Sequence, residues 1–158
     1  MNSHTTETNA VPALVAGLSA VERHAVETLY RAFSEGDTDL LDEVLAEDWN
    51  DVPLAPGQGP GREGIKPMVV AFRAAFSDLR ITVHEMIGVP GRAAVRAAIT
   101  GVHTGEWFGV APSGKPFEIA IHEFHRIADG RLTHTWHLED WFGWFNQVGA
   151  SPTRGAAA

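Results

Sequence analysis

Phe117-Glu118-Ile119-Ala120-Ile121-His122-Glu123-Phe124-His125-Arg126-Ile127-Ala128-Asp129-Gly130-Arg131-Leu132-Thr133-His134-Thr135-Trp136-His137-Leu138-Glu139 is the stretch that decides the fold. Side chains alternate in character with period two on both sides of Ala128-Asp129-Gly130, the pattern of two strands joined by a tight turn. A three-residue loop with Gly130 left-handed pairs Ile127 with Arg131, hence Ile121 with His137 and Glu123 with Thr135. Parity then places Phe117, Ile119, Ile121, Glu123 and His125 on one face with Thr133, Thr135, His137 and Glu139. Glu118, Ala120, His122, Phe124 and Arg126 share the other with Leu132, His134, Trp136 and Leu138. A carboxylate and an imidazole among Phe117, Ile119 and Ile121 mark a cavity wall rather than a solvated surface.

Working outward, period two extends back to Leu79, and turn residues at Pro90-Gly91-Arg92 and Pro112-Ser113-Gly114-Lys115 divide it. Four strands are expected, at about 79–89, 92–107, 117–127 and 131–140, too closely spaced for crossover helices and therefore antiparallel. Before them the period is helical. A capping box at Ser19-Ala20-Val21-Glu22 starts a helix with Val21, Ala25, Leu29 and Phe33 on one side, ending at Gly36. A short helix follows from Asp37 or Thr38 to Leu45, and Asp48 to Pro53 breaks it. Pro53 to Gly64 reads as loop, and a third helix opens with Pro67 near its first turn. Trp141 to Val148 forms a closing helix. Helices first and strands second is the α+β order, here a curved antiparallel sheet wrapped around N-terminal helices. Residues 1–18 and 150–158 read as flexible ends around one domain at 19–149.

Composition narrows the function. The formal charge of −8, from 12 basic and 20 acidic residues, offers no field for nucleic acid or an anionic membrane. Cysteine is absent, which removes disulfides and thiolate chemistry. No apolar run reaches the roughly 20 residues of a membrane span, and the first ten residues lack the basic start of a signal peptide, so a cytoplasmic protein is expected.

Glu123 and His137 lie diagonally, about 7–8 Å apart at the backbone, a gap that long side chains close. His137 is the candidate acid or base, with Glu123 holding its tautomer and stabilising its cation. His122 and His125 point to opposite faces, as do His134 and His137, so no metal site is expected. No Gly-x-Ser-x-Gly elbow and no phosphate-binding glycine loop occurs, so neither a serine nucleophile nor a nucleotide cofactor is expected, and no other cofactor is called for.

Thr100-Gly101-Val102-His103-Thr104-Gly105-Glu106-Trp107-Phe108-Gly109-Val110-Ala111-Pro112-Ser113-Gly114-Lys115 resembles the SnoaL-like polyketide cyclase family. So do Phe124 to Arg131, Trp136 to Asp140, Gln147-Val148-Gly149 and Ala74 to Leu79, a similarity spanning about 20–149. It implies the nuclear transport factor 2-like fold, a cone of curved antiparallel sheet with three helices, usually dimeric. It also implies ring closure without a cofactor: an intramolecular aldol condensation on a polyketide ester, with a pocket Asp as acid/base and a His nearby. At those two positions this sequence carries His137 and Glu123, the acid and imidazole exchanged between strands. Asn50 or Asp51 falls where relatives place a polar pocket residue.

The expected protein is thus an acid/base enzyme closing a ring on a small hydrophobic carbonyl compound. His137 and Glu123 are catalytic, and Asn50, Asp51, His103, Trp107, Ile121 and Thr135 bind substrate. Isomerisation, dehydration or epoxide opening needs the same parts, and a non-catalytic binding or assembly domain is a further alternative. A homodimer is expected across the outer sheet face, where Ala120, Phe124, Leu132, Trp136 and Leu138 would otherwise form an exposed apolar patch.

Overall fold

A computed structural model describes residues 17–151. The loose ends expected at 1–18 and 150–158 fall almost wholly outside that range. The elements are α1 (Ala20–Glu35), α2 (Asp39–Val44), β1 (Leu45–Val52), α3 (Gly61–Ala75), β2 (Phe76–Val89), β3 (Arg92–His103), β4 (Pro116–Ala128), β5 (Arg131–Glu139) and α4 (Trp141–Val148). The strands form one sheet in the order β1-β5-β4-β3-β2. Helices pack on its inner face, which is the α+β arrangement expected.

The capping box forms as read: Ser19 accepts from the Glu22 backbone and the Glu22 carboxylate accepts from Ser19 N at 2.8 Å. Its other oxygen accepts from Gly91 N at 2.6 Å, tying the start of α1 to the β2–β3 turn. The buried stripe of α1 is Ala25, Val26, Leu29, Tyr30 and Ala32, rotated from the expected one, and Val21 is exposed. α3 begins at Gly61, several residues before Pro67, which sits inside the helix. Arg62 explains the early start, since it reaches Asp42 at 3.0 Å and the Leu45 carbonyl at 3.4 Å and so anchors the first turn. Gly64 is required there, because a Cβ would stand 1.9 Å from the Gly59 oxygen.

Two corrections concern the sheet. Residues 45–52, expected as a helix end and a break, form β1, and β1 runs parallel to β5 rather than antiparallel. Its alternation in burial is real but each side is mixed in chemistry: Trp49 and Asp51 are buried while Asn50 and Val52 lie on the other side. The turn after β4 has two residues, Asp129 and Gly130, both with positive φ (50° and 74°), and pairs Ala128 with Arg131. A bulge between Arg126 and Ile127 then absorbs one residue of β5, so Glu123 stands directly opposite His137 and His125 opposite Thr135. Because the turn and the bulge each change the register by one, the face expected for Glu123, His125, Thr135 and His137 survives. Leu132, on the far side of the bulge, turns inward and is fully buried. β3 ends at His103 rather than 107, where Thr104 N and Gly105 N turn away to bond the Ala75 carbonyl.

The inner face carries two adjacent cross-strand rows that build the site. One runs Val95, Glu123, His137; the next runs Ala93, His125, Thr135, Asp51. Replacement Ser19→Ala should lower stability by about 1 kcal/mol, the usual worth of an N-cap, read as a lower urea midpoint with unchanged slope.

Candidate active site

β1 brings Asp51 to β5, and the loop after it closes over both. Asp51 is 7 % exposed, with Oδ1 3.4 Å from His137 Nε2 and Oδ2 accepting from Gln58 Nε2 at 2.8 Å. His137 Nε2 also lies 2.8 Å from the Pro53 carbonyl, and Nδ1 lies 2.8 Å from Glu139 Oε1. Every one of these partners is an acceptor, so both ring nitrogens donate and the ring is an imidazolium. Burial opposes that charge, but the bonded Glu139 carboxylate, Asp51 and the Pro53 carbonyl raise the imidazole to about 9. Burial raises the Asp51 carboxyl to about 6 against the pull of His137 and Gln58, with Glu123 and Glu139 adding to the rise. At neutral pH the pair is therefore a carboxylate beside an imidazolium.

Glu123 occupies the next position inward and is buried. Its Oε2 accepts from the Tyr30 hydroxyl and lies 3.3 Å from His125 Nε2. Burial and the Glu123 charge push the Tyr30 phenol well above its ordinary range, so the hydroxyl keeps its proton. His125 Nε2 is 3.1 Å from the Tyr30 oxygen, its Nδ1 is 3.0 Å from Thr135 Oγ1, and Trp49 Nε1 donates to that oxygen at 3.1 Å. Tyr30, His125, Trp49 and Gln58 are absent from the expected site. Tyr30 carried one signal, being the chain's single tyrosine.

Of the expected substrate-binding residues, Asp51 and Thr135 join this group, and buried Ile121 pairs with Glu139 beside it. Asn50 faces away, since neighbours on a strand point to opposite sides and Asp51 takes the inner one. His103 and Trp107 belong instead to an aromatic nest with Phe76, Trp141 and Trp144. His103 Nδ1 meets Ser113 there, and burial holds the imidazole below its usual range despite the Gly105 and Val110 carbonyls.

The reasoning against a metal needs one correction. Glu123, His137 and Glu139 each offer a ligand atom, all within 4.8 Å of one another, so a third donor does share the histidine's face. Such a set suits a divalent ion only once His137 has given up a proton and left Glu139 or Pro53. His134 stands on the outer face, stacked on Trp136 and opposite Arg126.

A sequence profile of SnoaL-like polyketide cyclases matches residues 23–148. The chain is also 30 % identical over 131 residues to aklanonic acid methyl ester cyclase AcmA of Streptomyces galilaeus, covering 79 % of this chain and 88 % of that one. It belongs to the SnoaL-like polyketide cyclase family. Solved structures agree on the fold of this family member. TsrD of Streptomyces laurentii superposes with a TM-score of 0.78 at 24 % identity, covering 85 % of this chain and 99 % of TsrD. IdmH of Streptomyces antibioticus gives 0.72 at 29 % identity, over 82 % and 99 %. Among the described residues of this cyclase-family chain no helix is long and apolar enough to cross a membrane.

Folding raises the His137 value from 6.5 to about 9, so the folded chain holds a proton that the unfolded chain releases. The stability this contributes is fully present below pH 6.5 and is lost as pH climbs through 9. At about 1.4 kcal/mol per pH unit its ceiling is about 3 kcal/mol. Denaturant unfolding at pH 6.5 and 9.5 should show that fall, and His137→Gln should flatten it.

Proposed function

We propose that this protein is a single-domain acid/base cyclase, spanning residues 19–149, that closes a ring on a small carbonyl-bearing, polyketide-like substrate without a metal or organic cofactor. The observation that carries the reading is the buried Asp51 carboxylate 3.4 Å from a doubly donating His137. Asp51 accepts a proton from the carbon next to a carbonyl. The enolate oxygen takes the hydrogen bond that His137 Nε2 gives to Pro53 in the unliganded chain, which stabilises charge where it develops. The enolate carbon then attacks a second carbonyl of the same substrate, and the resulting alkoxide takes a proton from His137. Proton transfer from Asp51 back to His137 restores the pair, and no atom is gained or lost. Glu139 and Asp51 keep His137 cationic, while Glu123, bonded to Tyr30 and His125 rather than to His137 as expected, acts through its charge on Asp51. Similarity to a cyclase of a polyketide methyl ester supports this substrate class.

The loop at 53–60 controls entry, since Pro53 and Gln58 occupy the two groups that substrate must meet. Rate should follow a bell in pH, rising as the pair loses a proton near 6 and falling near 9. Asp51→Asn should remove the acidic limb and lower kcat about 10²–10⁴-fold, His137→Gln should remove the alkaline one, and outward-facing His134→Ala should leave both. Loss of rate in His134→Ala equal to that in Asp51→Asn would sink this reading.

Dimerisation in the cytoplasm completes the proposal. Ile87, Ala94, Phe124, Trp136 and Val52 form a row across the outer face of all five strands, and Phe124 and Leu138 are 63 % and 73 % exposed. Leu132, expected in that patch, is in the core, which leaves the patch smaller but continuous. Light scattering should give twice 17.1 kDa, and Phe124→Lys should give the monomer.

A further inference from the structure

We infer that Trp49, Thr135, His125 and Tyr30 form a one-way hydrogen-bond relay that ends on Glu123 and positions it, each link being a positioning residue rather than a catalytic one. The relay rests on the reading that Glu123 belongs to the acid/base group.

The direction follows from which ends can only give and which can only accept. An indole N–H is a donor only, so at 3.1 Å the Thr135 oxygen must accept from Trp49. The Thr135 proton then needs an acceptor in a buried site, and among the described residues the partner that offers one is His125 Nδ1 at 3.0 Å. His125 must therefore carry its proton on Nε2. The opposite end demands the same. Nε2 lies 3.3 Å from Glu123 Oε2 and 3.1 Å from the Tyr30 oxygen, and a bare lone pair at that place would face a carboxylate. Tyr30 has one proton, already given to Glu123, so its oxygen is the acceptor His125 meets. The reverse tautomer would leave the Thr135 hydroxyl proton and the His125 Nε2 lone pair both unmatched, each a buried loss of about 1–3 kcal/mol.

Four elements contribute: β1 supplies Trp49, β5 Thr135, β4 His125 and Glu123, and α1 Tyr30. Trp49 and Asp51 leave the same strand on the same side. One strand thus sets both ends of the inner group, placing the carboxylate beside His137 and the donor that orients the opposite wall.

Histidine tautomers are read directly by long-range proton–nitrogen NMR on the ¹⁵N-labelled full chain, which needs no substrate. His125 should be the Nε2–H form with Nδ1 accepting. Thr135→Val should abolish that preference, Thr135→Ser should restore it, and Trp49→Phe should weaken it. With turnover in hand, Thr135→Val should lower kcat about tenfold at nearly constant KM, with recovery in Thr135→Ser. An Nδ1–H or doubly protonated His125 in the unmodified protein at neutral pH, or an unaltered tautomer in Thr135→Val, would overturn the relay whatever the activity. The expected tautomers in a chain that turns over no carbonyl substrate would uphold the relay and overturn the cyclase reading instead.

Discussion

Burying Asp51 is the constraint on which the rest of the site depends. A carboxylate removed from water is tolerated when its oxygens are matched, and here His137 and Gln58 match one each. That arrangement exists only because β1 lies parallel to β5 and in register with it, setting Asp51 against Thr135 two residues from His137. The parallel edge strand thus decides where the proton chemistry sits. Its loop then covers the pair with the Pro53 carbonyl and the Gln58 amide.

Charge around that pair is lopsided, and the imbalance is what makes it reactive. Asp51, Glu123 and Glu139 surround one imidazole, and among the described residues none of the three has a Lys or Arg as a hydrogen-bond or ion-pair partner. The imidazole is therefore held cationic while the buried Asp51 carboxyl is held back from ionising, which sets the two titrations at about 9 and about 6, one on each side of neutrality. Groups tuned this way exchange protons readily, whereas an exposed pair of the same composition would sit at ordinary values. Exchange of acid and imidazole between β4 and β5, relative to what family resemblance implies, is compatible with this logic. A second carboxylate from β1 stands next to the imidazole in its new place.

Two faces of one sheet have been given different tasks by a single bulge. Inward of it lie Glu123, His125, Thr135 and His137; outward lie Phe124, Trp136 and Leu138. Beyond the bulge the parity of β5 reverses, and Leu132 packs beneath β1 against Leu45. Without the bulge, the two-residue turn would turn His137 to solvent and Trp136 to the core.

Sequence by itself determined the α+β order, the capping box at Ser19 and the four antiparallel strands, because those features depend on local period and turn signals; the face shared by Glu123 and His137 came out as read because the bulge in β5 offset the shorter turn. The sequence also carried the family resemblance. Tertiary structure alone decided that Trp49-Asn50-Asp51 is a strand, since each side of it mixes an apolar with a polar residue, Trp49 with Asp51 inward and Asn50 with Val52 outward, and such a strand carries no readable period until a neighbour is known. The same holds for Tyr30, His125 and Gln58, whose roles arise from contacts across 93, 95 and 7 residues of chain. It also decided that His137 donates from both nitrogens, because a side chain's protonation is set by the partners around it.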